Sequence, residues 1–310
     1  MSSTSQMMQA PIPENERIAG LSRLVKRLNT SNNIALTILW IIALLVALIF
    51  VGIVIYLIAR GGAYLISPSI YSASDTGLGR EIFNTFYILI LTEIILFPIA
   101  LAAAIYLVEY ASQGPLVTVI HFAAETLAGV PSIVLGLFGV IAFSNYAHLG
   151  TSRLAGALTL LCLNLPLALR LFEDALSTVP REMREGGLAL GATKWHMIRT
   201  VVVPSALPGL ITGLILSAGK IIGEAAALLF TMGLNSPANP FTLSPLIASD
   251  TLTTHLYFIA GPGAGSTSLT TAQETVISAG SASILIIILL VINLAARGIG
   301  RVIQRRITAA

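Results

Sequence analysis

Residues 172–207 read FEDALSTVPREMREGGLALGATKWHMIRTVVVPSAL, a polar stretch set between long apolar runs. Pro180 suits the first turn of a helix. Met183 and Leu190, seven apart, would share one helical face, with Gly187 between them. Gly191 is placed to end that helix. Ala192 and Thr193 then lead into a second amphipathic piece, Lys194 to Val203, and Pro204 and Pro208 punctuate the entry to the next apolar run. A helix–glycine–helix elbow of this kind suits docking into a groove on a soluble partner, passing rigid-body motion to the helices on either side. The same pattern suits an amphipathic hairpin resting on a membrane surface.

The sequence around the elbow belongs to a membrane. Of 310 residues, 55% are apolar and only 10% charged, where a soluble domain has about a quarter charged. Mean hydropathy is +0.89. About 20 apolar residues span a hydrocarbon core as a helix, and six segments qualify: 34–58, 83–108, 116–145, 154–171, 208–230 and 276–296. An all-α membrane protein of six transmembrane helices is expected, since in lipid a helix satisfies its own backbone groups. Residues 1–33 and 297–310 read as polar tails, 172–207 as one connection and 231–275 as another. The second is rich in Gly, Pro, Ser and Thr (Asn235 to Pro240, Gly261 to Gly265) and has no Lys or Arg. No cleavable leader is visible.

Charge placement sets orientation. Arg17, Arg23, Lys26 and Arg27 lie in the N-terminal tail, Arg181, Arg184, Lys194 and Arg199 in 172–207, and Arg297, Arg301, Arg305 and Arg306 in the C-terminal tail. Only Arg60, Arg80 and Arg153 fall on the opposite side, which places both termini and the elbow in the cytoplasm. The net charge of +3 therefore speaks to orientation, and no nucleic-acid partner is expected. The single cysteine, Cys162, sits in an apolar run and reads as a packing residue.

Several ionisable residues fall at membrane depth, where each costs on the order of 3 kcal/mol unless it faces a cavity or partner. Lys220 and Glu224 are four apart and would share a helical face. They read either as a self-neutralising pair or as an anion contact, Lys220, moderated by Glu224. Arg170 reads as snorkelling to the interface or as part of the same path. Glu93 and Glu125 read as acids held between helices. His121, His148, His196 and His255 show no ligand spacing, and neither a metal set nor a catalytic set is expected. Gly219-Lys220 is followed by Ile221, where a nucleotide-binding loop needs Ser or Thr, so no ATP site is expected in this chain.

Glu185-Gly-Gly-Leu-Ala-Leu-Gly191, followed by Val201 and Val203-Pro204, resembles the EAA motif of ABC-importer permeases. Gly186 and Gly187 stand where that motif has two alanines. Glu125-Thr-Leu-Ala-Gly-Val-Pro-Ser-Ile-Val-Leu-Gly-Leu-Phe138 is similar to the third span of phosphate permeases. Gly223-Glu-Ala-Ala-Ala-Leu-Leu-Phe-Thr231 resembles the fifth span of their PstA-type subunit, with Ala225 and Ala227 replacing Thr and Pro.

The resemblance implies a type I, MetI-like permease fold with its core over 83–296. It implies a coupling loop that docks onto an ATPase, with Glu185, Gly186, Gly187, Gly191, Ala192 and Thr193 as its residues. It also implies an anion path touching Arg170, Lys220 and Glu224. The partners would be the lipid bilayer, a PstC-like second permease, PstB-like ATPase subunits that bind the ATP, and a PstS-like external phosphate-binding protein. Permeation of another solute (molybdate, sulfate or an amino acid) and secondary transport without an ATPase are the alternatives.

Overall fold

The computed structural model describes residues 14–74, 77–112, 114–189, 191–234, 241–261, 263 and 270–308, with side chains left out at 14–24, 63, 296, 299 and from 301 onward. Leu190, Asn235 to Pro240, and Gly265 lie outside the described residues. The chain divides into two compact units, 1–56 and 57–310. The described part of the first unit is the beginning of α1 (Glu14–Leu65). Its Ile, Leu and Val side chains are exposed around the whole helix, Trp40 at 75% and Phe50 at 65%. A helix apolar on every face needs an apolar surrounding rather than water.

The second unit is a bundle of helices: α2 (Gly79–Ile105), α3 (Pro115–Ala128), α4 (Ser132–Gly139), α5 (Arg153–Ser177), α6 (Arg181–Ala189), α7 (Lys194–Met197), α8 (Val203–Gly223), α9 (Ala226–Thr231), α10 (Leu252–Ala260) and α11 (Thr271–Thr308). π-helical turns extend α2 to Tyr110 and α4 to Tyr146, and a third, Ile198–Val202, joins α7 to α8. Among the described residues five helices are long and apolar enough to cross a membrane, or six if α3 and α4 count as one span.

Helix α5 is the hub, packing on α2, α8, α3, α4 and α9. Small residues let it approach closely. A Cβ on Gly209 would stand 2.7 Å from the Ala175 Cβ, and one on Gly213 would stand 3.0 Å from the Phe172 ring. Packing of small residues is how helices associate where no hydrophobic drive separates them from lipid. The all-alanine run at 225–227 has the same logic: a Cβ on Gly136 of α4 would come within 2.9 Å of the Ala227 Cα.

Two expectations need correction. The single span at 116–145 is a pair, α3 and α4, bent by 101°. Pro131 offers no N–H and pushes Val130 out of the helical region, so the ladder breaks at 129–131. The span at 208–230 also breaks. α8 ends at Gly223, and Glu224 is extended (φ −78°, ψ 125°).

Arg153 occupies the first position of α5, and its residue is completely buried. Its Nε donates to Ser249 Oγ at 2.9 Å and its Nη2 to Asn84 Oδ1 at 2.5 Å. Its Nη1 donates to the carbonyls of Thr242 and Ser244. The guanidinium also lies over the Tyr87 ring at 4.7 Å. The residue counted as loop charge is thus a rivet joining α2, α5 and the 242–249 segment at one end of the bundle. The elbow begins at the other end, where α5 stops at Ser177.

Candidate functional site: elbow and cavity

The elbow comprises α6, a turn at 191–193, α7 and the π-turn. Gly191 has φ +84°, a conformation that L side chains rarely adopt, and its N–H donates to the Leu188 carbonyl at 2.9 Å. Thr193 caps α7, its Oγ1 accepting from the His196 N–H at 3.3 Å. Met197 is buried under α6. A Cβ on Gly187 would meet the Met197 Cγ at 3.0 Å, whereas one on Gly186 would meet nothing within 4 Å.

The two glycines standing for alanines therefore differ. Alanine stabilises a helix by about 1 kcal/mol over glycine. Gly186→Ala should raise the stability of α6 by up to about that amount, while Gly187→Ala should gain less because Met197 must shift. Hydrogen-exchange protection of the 181–189 amides would measure both, and equal gains would contradict this packing.

What the elbow exposes and what it holds back are distinct. Glu185, Gly186 and Thr193 are exposed and Ala192 is half-buried. Met183, Leu188 and Trp195 are large apolar residues exposed at 43, 45 and 59%. Fastening comes from Arg184 and Lys194, which the sequence offers only as orientation charges. Arg184 Nε donates to Glu109 Oε1 at 2.9 Å, and its Nη1 and Nη2 donate to the carbonyls of Val179 and Leu176 at 2.7 and 2.8 Å. Arg184 thereby serves one carbonyl in the last turn of α5 and one just beyond it. Lys194 Nζ donates to the Glu109 carbonyl and lies 4.9 Å from the Tyr110 ring centre. One acid at the end of α2 thus receives both arms of the elbow.

A cavity of about 410 Å³ opens between α3, α5 and α8, with Arg170, Lys220, Glu125, Glu173 and His121 among its lining. A second, of about 580 Å³, shares His121, Glu173 and Asp174 with it and reaches Glu185 of the elbow. Arg170 and Lys220 thus line one space. Arg170 Nη1 stands 3.9 Å from Glu125 Oε1, both side chains about three-quarters exposed. Exposed pairs of this kind contribute little binding energy. His121 Nε2 and Glu173 Oε2 lie 3.0 Å apart. Lys220 Nζ donates to the Leu163 carbonyl at 3.2 Å, near the ladder gap that Pro166 makes in α5.

Glu224 is not in the cavity lining, and the shared face with Lys220 is not formed. The chain leaves the helix at Gly223, and Glu224 Oε1 accepts from the Ala227 N–H at 3.1 Å, capping the start of α9.

With this geometry in place, residues 96–309 match the family model described as the binding-protein-dependent transport system inner membrane component. The chain belongs to this family. A probable ABC transporter permease of Bacillus subtilis, YqgI, is 38% identical over 282 residues, 86% of this chain and 94% of that relative. A phosphate transport system permease PstA homologue of Mycoplasma pneumoniae is 36% identical over 214 residues, 66% of this chain but only 32% of that longer relative. A solved chain of the MetNI methionine ABC transporter, in an inward-facing conformation, superposes with a TM-score of 0.60 at 19% identity, covering 73% of this chain and 95% of that one. The protein is a binding-protein-dependent ABC transporter permease with the MetI-like fold.

For this permease, the residues that sequence reasoning missed as functional are Arg184, Lys194 and Glu109. Their partners lie 75 and 85 residues apart in the chain, and no local spacing points to such pairs.

Proposed function

We propose that this permease carries inorganic phosphate across the bacterial plasma membrane. It would share the path with a PstC-like second permease, be driven by PstB-like ATPases that bind the ATP, and be fed by a PstS-like external binding protein. Both termini and the elbow would face the cytoplasm, as the twelve positive residues of the tails and elbow favour. The observation that carries the mechanism is the division of labour in the elbow. It presents Glu185, Met183, Leu188 and Trp195 outward while Arg184 and Lys194 tie it to Glu109. A motor gripping the outward face would move the inner ends of α2 and α5 together, opening and closing the space between α3, α5 and α8.

Two things favour phosphate. PstA homologues are among the relatives, and the Lys220 ammonium faces the cavity with a carbonyl as its hydrogen-bond partner. A point charge of this kind attracts an oxyanion and still releases it. The test is uptake of labelled phosphate, sulfate, molybdate and an amino acid by proteoliposomes holding the four-part complex. Phosphate uptake that requires ATP and the binding protein is expected, falling about tenfold (roughly 1.4 kcal/mol) in Lys220→Gln with ATP hydrolysis retained. Preferred uptake of another solute would remove phosphate from the reading, and uptake without nucleotide would remove the ATPase.

A further inference from the structure

At the bundle end opposite the elbow, three ligand-type side chains converge from distant parts of the sequence. Glu81 lies in the first turn of α2, Asp250 just precedes α10, and His255 is on α10 itself. One donor atom from each lies within 4.8 Å of the others. His255 Nδ1 is 3.2 Å from Asp250 Oδ2 and 3.9 Å from Glu81 Oε1. The Glu81 and Asp250 residues are buried to 0 and 4% exposure. Yet Glu81 Oε2, Asp250 Oδ1 and His255 Nε2 have no hydrogen-bond partner among the described residues. Buried carboxylate oxygens without a partner are expensive, because each loses its water and gains nothing.

Arg80 is the nearest basic group, with Nη2 at 3.4 Å from Glu81 Oε1. It offsets one of the two negative charges. Its own Nε is without a partner, so this contact leaves the cluster incompletely satisfied.

We propose that Glu81, Asp250 and His255 form a divalent-cation site of the zinc or manganese class, clamping the segment around α10 onto α2. Two carboxylates and one imidazole are a mixed oxygen and nitrogen donor set that suits these ions over calcium or magnesium. With ligand bonds of about 2.1 Å, donor atoms stand roughly 3–4 Å apart, so the cluster closes around an ion by small side-chain shifts. The α10 end is already tethered to α2 nearby, where the Leu252 N–H donates to Thr85 Oγ1 at 3.0 Å. The cation would complete that attachment and give the two buried carboxylates a positive partner.

Equilibrium dialysis of the untagged full-length chain in detergent, stripped with chelator and titrated with Zn²⁺ or Mn²⁺, tests this. About one ion per chain is expected. Glu81→Gln, Asp250→Asn and His255→Gln should each weaken binding about 10- to 100-fold. Arg80→Gln, which removes the competing cation, should tighten it, a gain that no damaged fold would give. Absence of bound ion, the same affinity in all three ligand variants, or no tightening in Arg80→Gln would each overturn the site.

Discussion

Arg184→Ala should leave a complex that still hydrolyses ATP but takes up little solute. The guanidinium is 18% exposed and the Glu109 carboxylate only 5%, so alanine would strand a buried acid. Removing one partner of a buried pair costs about 3–5 kcal/mol. The carbonyls of Leu176 and Val179 lose their donors at the same time. The elbow could then still meet a motor through Glu185 and Trp195, but its hold on α2 and α5 would rest on Lys194 and its own packing. Arg184→Lys should recover only part of the coupling, because one ammonium cannot serve a carboxylate and two carbonyls as a fork does. Adding Glu109→Gln to Arg184→Ala should restore stability without restoring coupling, since it removes the stranded charge and not the missing tether. ATP hydrolysis and uptake measured on the same vesicles give the ratio. An unchanged ratio in Arg184→Ala would show that force leaves the elbow by another route.

Arg153→Met should be the most damaging single change away from the elbow. Methionine keeps much of the volume but leaves Asn84 Oδ1, Ser249 Oγ and the Thr242 and Ser244 carbonyls without their donor. Hydrogen bonds to a charged group contribute about 1.5–3 kcal/mol each, so a net loss on the order of 4 kcal/mol is expected. Thermal unfolding in detergent would show it, together with new protease cleavage in 241–250 as that segment comes away from α2 and α5. Arg153→Lys should sit close to Arg153→Met rather than to the parent. An unaltered midpoint in either would mean the network is not structural.

What the sequence disclosed followed the range of each interaction. The helices were legible because lipid demands unbroken apolar runs, and the elbow was legible because Glu185, Gly191 and Val203-Pro204 lie in one short stretch. The bend before α4 was written in Gly129-Val130-Pro131, but hydropathy runs straight through it. Lys220 and Glu224 were paired by a helical period that ends one residue too early, at Gly223. Arg153 and Arg184 looked like ordinary positive residues because their partners come from segments 69 to 96 and 75 residues away. Glu81, Asp250 and His255 were invisible as a set for the same reason.

The open side of the Arg170 cavity bears on how well a copy without a second subunit sits in a bilayer. Arg170 and Glu125 stand largely uncovered inside α5 and α3, and Val119 and Phe122 of α3 are bare as well. A solitary polypeptide in a bilayer would turn that mixed surface toward acyl chains, at a cost on the order of 3 kcal/mol for each ion. Until a second subunit shields that surface, the solitary chain would be the less stable form in the bilayer.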